Sequence, residues 1–141
     1  MARSEVNYIF DAETAFRAPG AAAVTAAGVI GEVALDKMVN VRPSSQRNKL
    51  GAEAYDVVIA VSAAAFPGAE EYTFNVETGA VGAAATVVGS VKIAGTGQYV
   101  IKLDAETIEK MDANHAVLEL NLAFADVPTT NESITFAAWV V

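Results

Sequence analysis

Most of this 141-residue sequence alternates apolar and polar side chains with a period of two, and no other feature constrains its fold as strongly. In residues 55–62 the odd positions carry Tyr55, Val57, Ile59 and Val61, which form one apolar face of a predicted strand. Comparable alternation recurs at roughly 8–15-residue spacing, with turn residues in between, in 29–35, 72–77, 86–93, 99–103, 115–124 and 134–140. The sequence therefore predicts an all-β fold, a jelly-roll-like antiparallel β-sandwich of about 7–8 strands.

The start of the chain differs from the rest. Residues 1–22 are predicted to form an extended N-terminal arm, and residues 23–141 a single β-sandwich domain. In the arm, the large apolar side chains Tyr8, Phe10 and Phe16 lie among acidic residues. Ordering a segment costs roughly 1–2 kcal/mol per residue in backbone entropy, so the arm needs an apolar surface to pack on. That surface is either this domain's own sheet or a neighbouring molecule, and the sequence leaves both open.

Two short helical turns are expected outside the strands. The first covers residues 11–17, with Asp11 as the N-cap and an acidic residue in the first turn. The second covers residues 105–111, where Asp104 caps the helix and two apolar residues three positions apart face one side. This second turn is expected in a connection between strands.

The residue inventory excludes several kinds of chemistry. The chain has no Cys and one His, His115, which argues against disulfides, thiolate metal sites and His-based catalysis. A net charge of −8 argues against nucleic-acid binding, because such proteins present a basic face to the phosphates. The acids Asp104, Glu106, Glu109 and Asp112 lack the spacing and the central glycine of an EF-hand loop. We therefore expect no catalytic site, no metal site and no cofactor.

The exterior is expected to be poor in charge. Charged residues make up 18% of the sequence, against about 25% in a typical domain. Monomers rarely expose large contiguous apolar patches, so part of the surface is expected to be covered by other subunits of a homo-oligomer. The abundance of alanine is the plainer interpretation, because alanine is indifferent to exposure. No stretch resembles a signal peptide or a membrane span, so no membrane contact is expected and synthesis is expected in the cytoplasm.

The segment 37–51 departs from the acidic average. It contains four of the nine basic residues and no acid, and its Pro-Ser-Ser sequence is typical of a loop. The four basic residues, among them Lys37, predict docking on an acidic partner surface. The alternative is an ordinary solvated loop. Together with the arm, the segment supplies the residues predicted to contact a partner protein: Tyr8, Phe10, Phe16, Arg42, Arg47 and Lys49.

Two aromatic residues have alternative interpretations. Trp139 lies opposite the main apolar face of the last predicted strand. Burial on both faces is favoured, because Ala137 and Val141 share the face of Trp139. The alternative is an exposed contact residue for a sugar or a protein, a role also open to Tyr72.

The order of several segments along the chain matches one known family: Tyr8-Ile9-Phe10-Asp11, Val24-Thr25-Ala26, Gly28-Val29-Ile30, Val33-Ala34-Leu35-Asp36, Asp56-Val57-Val58-Ile59-Ala60-Val61, Tyr72-Thr73-Phe74-Asn75-Val76, Leu118-Glu119-Leu120-Asn121-Leu122 and Ile134-Thr135-Phe136-Ala137-Ala138-Trp139-Val140. In this order the chain resembles the small jelly-roll capsid cement (decoration) proteins of tailed double-stranded DNA bacteriophages. The resemblance covers nearly the whole chain, as a pattern of strands rather than a fixed signature.

The resemblance implies a structural virion protein without catalysis. Such a protein binds the outer surface of the assembled phage head and bridges neighbouring major capsid proteins as a dimer or a trimer. Two alternatives share the same fold: a carbohydrate- or receptor-binding module, which would use exposed aromatic side chains, and a tail or baseplate component. A fold by itself does not fix a function, so the site has to decide between them.

Overall fold

The computed structural model of this chain describes residues 12–34, 54–66, 70–111, 116–125 and 131–141. These residues form one 3-10 turn, Ala12–Thr14, one α-helix, α1, Ala105–Met111, and eight strands: β1 Ala15–Arg17, β2 Gly28–Ala34, β3 Ala54–Ala65, β4 Tyr72–Gly79, β5 Thr86–Ile93, β6 Gly97–Asp104, β7 Val117–Phe124 and β8 Ser133–Val140. Every pairing between strands is antiparallel. The prediction of an all-β, antiparallel β-sandwich is thereby confirmed.

The strands form two four-stranded sheets. Sheet A has the order β1-β8-β3-β6, and sheet B has the order β2-β7-β4-β5. Among the described strands, only β4 and β5 are both consecutive in sequence and neighbours in one sheet. All the other connections lead from one sheet to the other, so residues distant in sequence become neighbours on each sheet.

The hydrophobic core lies between the two sheets and follows the alternation of the sequence. The odd positions of β3, from Tyr55 to Val61, are buried as predicted. Across the core, the rings of Phe74 on β4 and Phe136 on β8 pack edge to face with centroids 4.7 Å apart. Fully burying side chains of this size stabilises the fold by roughly 1.5–3 kcal/mol each.

The helix α1 forms where the sequence predicts it. The carboxylate of Asp104, predicted to cap the helix, accepts a hydrogen bond from the Thr107 hydroxyl at 3.5 Å. Ile108 is buried in the core, which fixes the helix against the sandwich. None of the helical segments in the described ranges has the length and apolar character that crossing a membrane requires.

The described end of the predicted arm is part of the sandwich. Residues 15–17, placed in the arm by the sequence analysis, form β1, an edge strand that pairs with β8. The helical turn expected over residues 11–17 is limited to the 3-10 turn Ala12–Thr14. The reason is tertiary, because pairing with β8 satisfies the backbone hydrogen bonds of residues that could otherwise have continued a helix.

Specific contacts hold this segment on its own domain. Phe16 is buried in the core between the sheets, and the Thr14 hydroxyl donates a hydrogen bond to the Val140 carbonyl at 2.8 Å. The Arg17 guanidinium lies 5.4 Å from the centre of the Phe136 ring. At Gly31 on β2 a Cβ atom would collide with the backbone of Phe16, so the close approach of β1 requires glycine there.

Candidate functional site

Strand pairing brings several chain segments to one end of the sandwich. Gly79 on β4 and Ala34 on β2 both pair with Val117 on β7. In sheet A, Ala54 on β3 pairs with Asp104 on β6. The β4–β5 turn, helix α1 and both residues that flank the segment 35–53 therefore lie at this end.

This end exposes large apolar side chains, and we call Val81, Val87 and Met111 the apolar end. Val81 in the β4–β5 turn is 71% exposed, Val87 near the start of β5 is 46% exposed, and Met111 at the last position of α1 is 49% exposed. Residues 80–85, which form the turn, contain only Ala, Val and Gly. Large apolar side chains exposed at one end of a domain make that end a candidate protein contact site.

The β4–β5 turn has a defined conformation. The Gly82 amide donates a hydrogen bond to Oε2 of Glu32 at 3.0 Å, and the Ala83 amide donates to the Ala80 carbonyl at 2.9 Å. Gly82 has a φ of 74°, a left-handed conformation that favours glycine. These contacts tie the turn to β2, which lies two strands away from β4 in sheet B, and so fix the position of Val81.

The residues predicted to contact a partner have different outcomes. Phe16 packs in the core of its own domain, the first of the two surfaces that the sequence left open, and is not available to a partner. Five others lie outside the described residues: Tyr8, Phe10, Arg42, Arg47 and Lys49. The basic segment 37–51 as a whole also lies outside them. The described residues on either side of it, Ala34 and Ala54, place its two attachment points at the apolar end.

A row of three glutamates crosses the outer face of sheet B beside this end. Glu32 on β2 lies opposite Glu119 on β7, and Glu119 lies opposite Glu77 on β4. We call these three residues the glutamate row. Val87 on β5 lies opposite Glu77 and continues the row into the apolar end.

The central member of the glutamate row is in an unusual environment for a carboxylate. Glu119 is only 7% exposed although it lies on the outer face of the sheet. Burial raises the pKa of Glu119 above its ordinary value, and the charges of Glu77 and Glu32 raise it further, whereas a hydrogen bond with Asn121 lowers it. Like charges placed directly opposite each other on neighbouring strands destabilise their pairing.

Neither aromatic residue considered for sugar contact is exposed. Trp139 is 6% exposed and packs with Val58 and Ala137 in a second buried cluster on the outer face of sheet A. Tyr72 is fully buried, and its ring contacts the rings of Phe66 and Phe124. The prediction that Trp139 is buried is confirmed, and the glycan-binding alternative loses the two residues on which it depended.

The hydroxyl of Tyr72 has a structural role at the opposite end of the sandwich. It accepts a hydrogen bond from the Ser133 amide at 3.0 Å and donates one to the Ala65 carbonyl, which joins the end of β3 to the start of β8. Burial raises the pKa of Tyr72 above its ordinary value. The hydrogen bond with the Ser133 backbone opposes this shift, and the carboxylates of Glu132 and Glu70 add to it.

A groove of about 280 Å³ lies beside the buried cluster on sheet A. Pro19 and Gly20 form one side of it, and Ala60, Ala137 and Trp139 are among the residues of the other side. The described residues that line the groove include no titratable side chain, so the groove itself offers no acid–base chemistry.

In the described ranges, no three His, Asp or Glu side chains converge in a geometry that could hold a metal ion. No protein-family model, characterised protein or solved structure matches this chain. The functional interpretation therefore depends on the surfaces of the chain itself.

Sequence reasoning missed both the apolar end and the glutamate row. Glu32, Glu77 and Glu119 each occupy an ordinary polar position in an alternating strand and are far apart in the sequence. Only the registers of β2, β7 and β4 place them side by side. The uncharged stretch 80–85 was the signal available for the apolar end, but it was not predicted to be a contact surface.

Proposed function

We propose that this chain is a non-catalytic structural virion protein, a capsid cement or decoration protein that binds the outer surface of a phage head. In this role it contacts the major capsid protein and stabilises the contacts between neighbouring capsid subunits. It acts as a homo-oligomer, a dimer or a trimer, and is made in the cytoplasm of the host. It uses no cofactor and contacts neither nucleic acid nor membrane.

One observation carries the proposal. The end of the sandwich that exposes Val81, Val87 and Met111 is also the end at which the basic segment 37–51 is attached, through Ala34 and Ala54. Apolar side chains exposed at one end provide burial on contact, which fits attachment to a large protein lattice better than binding of a small molecule. The basic residues of the segment 37–51 lie outside the described residues, and we propose that they add attraction to an acidic surface.

The fold gives further support. The strand order β1-β8-β3-β6 facing β2-β7-β4-β5 is the order expected of a jelly roll, in which two Greek keys form two sheets. This is the fold implied by the resemblance to phage cement proteins.

Many copies make such an attachment effective. A stable protein interface buries about 1,200–2,000 Å² in total. An oligomer that contacts several capsid subunits raises the effective concentration of each further contact, so that weak single contacts together resist internal pressure. The low charge of the chain reduces the number of charged groups that must lose water on contact.

The proposal is tested by adding the purified chain to phage heads assembled without it. We expect cryo-imaging to show regular density on the outside of the heads, and heads with the chain to release DNA at a higher temperature than bare heads. Val81→Asp places a charge in the apolar end and is expected to abolish attachment. Val29→Asp is the matched control, because Val29 is another exposed valine, on β2, and lies outside the apolar end.

The basic segment has its own test. Replacing Arg42, Arg47 and Lys49 by alanine is expected to weaken attachment, most visibly below about 0.15 M salt, because higher salt screens the attraction of these residues in the wild type as well. Equal attachment of Val81→Asp and Val29→Asp would reject the apolar end as the contact site. A chain that leaves heads undecorated at low and high salt alike would reject the proposed function.

A further inference from the structure

The glutamate row has no opposing positive charge in the described part of sheet B. On β2, β7 and β4 the groups that face Glu119 are Glu32, Glu77 and the amide of Asn121. On β5 the same row ends in Val87, and the β4–β5 turn contributes only the backbone amide of Gly82. Two carboxylates therefore flank a third that is largely removed from water.

The nearest lysine on this sheet is engaged elsewhere. Lys92 on β5 pairs with Thr73 in the register and forms an ion pair with Glu71 at 3.0 Å. The row of Asn121, Asn75 and Ser90 lies between Lys92 and the glutamate row. Since exposed ion pairs are screened by water, Lys92 contributes little to neutralising Glu119.

We propose that the glutamate row is a pH-sensitive device that strengthens sheet B and the attachment of the β4–β5 turn to β2 when the medium becomes acidic. Protonation of the central carboxylate removes the repulsion on both sides of β7 at once. The flanking Glu32 then accepts the Gly82 amide bond without a charged neighbour opposite. Because the turn carries Val81, acid would also stabilise the position of the apolar end, but the proposal does not rest on the proposed function.

The direction of the effect follows from linkage. The pKa of Glu119 is raised in the folded chain above its ordinary value of 4.5, so the folded state binds this proton more tightly than the unfolded state. The stabilisation is therefore fully present below the ordinary pKa and is lost as the pH rises through the folded pKa. Repulsion within the glutamate row therefore lowers the free energy of unfolding at neutral pH, and acidification removes this loss.

A pH series of thermal unfolding on the purified full chain tests this proposal. From about pH 8 down to pH 5 we expect the unfolding temperature of the wild type to rise, because the folded state takes up the Glu119 proton at a higher pH than the unfolded state does. Glu119→Gln is expected to unfold at a higher temperature than the wild type at pH 8 and to show a flatter pH profile. In the wild type, the Gly82 amide is expected to gain protection from hydrogen exchange on acidification.

Two further variants keep the test decisive. Glu71→Gln removes one negative charge beside β4 and outside the row, together with the exposed ion pair to Lys92. Because an exposed pair contributes little, this variant reports the general effect of net charge and should keep the wild-type pH profile. Glu77→Gln relieves the same repulsion from a less buried position and should reproduce part of the Glu119→Gln effect if that variant folds poorly. Identical profiles for Glu71→Gln and the row variants, or a lower unfolding temperature of both row variants at pH 8, would overturn the proposal.

Discussion

The outer faces of the two sheets have the same backbone arrangement but opposite chemistry. On sheet A, one row across the sheet consists of Ala15, Trp139, Val58 and Val100. On sheet B, the corresponding kind of row is Glu32, Glu119, Glu77 and Val87. The outer face of sheet A therefore behaves as a second apolar cluster, whereas that of sheet B is a polar surface with an electrostatic cost.

The difference shows that a side chain on the outer face of a sheet is not necessarily exposed to solvent. Val58 is fully buried on the outer face of sheet A, while Val29 on the outer face of sheet B is 60% exposed. On sheet A the outward side chains Val58, Ala137 and Trp139 pack on one another and on Ala15 and Ala60. The same residue type thus contributes burial energy on one face and almost none on the other.

The largest effect is expected from the Trp139 side chain. Trp139→Ala should lower the free energy of unfolding by about 3–5 kcal/mol, because the substitution leaves a large cavity in a buried cluster. Val87→Ala on the outer face of sheet B should change it by less than about 1 kcal/mol. Urea unfolding of both variants measures the difference, and equal losses would mean that the two faces do not differ in burial.

Two Val→Thr substitutions compare the outer faces of the two sheets without changing the shape of the side chain. Val58→Thr should cost about 1–3 kcal/mol, because its hydroxyl enters a fully buried site. Val29→Thr should change the free energy of unfolding by less than about 0.5 kcal/mol, because water solvates the hydroxyl. A neutral Val58→Thr would show that a hydrogen-bond partner or water reaches the outer face of sheet A.

The smallest effects are expected from two exposed ion pairs, one on each sheet of the described part of the chain. Lys102 lies 3.5 Å from Asp56 on sheet A, and Lys92 lies 3.0 Å from Glu71 on sheet B. Lys102→Met and Lys92→Met should each change the free energy of unfolding by about 1 kcal/mol or less, because the lysine side chains are solvated. At high salt the free energies of unfolding of the wild type and of each variant should converge, because salt screens exposed ion pairs. A loss well above about 1 kcal/mol for either variant would show an unexpectedly desolvated pair.

Much of the fold was predictable because alternation is a local signal. The long strands, helix α1 with its cap at Asp104, and the buried face from Tyr55 to Val61 all follow from residues close together in the sequence. The short strand β1 was not predictable, because residues 15–17 have no alternation of their own. They become a strand only through pairing with β8, more than a hundred residues away.

The candidate site was less predictable than the fold. The basic segment 37–51 could be recognised from composition, and its attachment points emerge from the pairing of Ala34 and Ala54. The exposure of Val81 and Met111 could not be recognised, because a sequence does not state which apolar residues remain uncovered. For Trp139 the sequence favoured burial, whereas Tyr72 stayed open to a contact role, and both side chains are buried.

By itself, the sequence determined that this chain is a charge-poor β-sandwich with one core, because the period of its apolar residues selects strands and one buried face for each. The tertiary structure decided which strands became neighbours. That decision placed Glu119 between Glu32 and Glu77, Phe16 in the core and Trp139 in a buried cluster with Val58. The physical reason is that alternation specifies the two faces of a strand, whereas strand order and register depend on packing summed over the whole molecule.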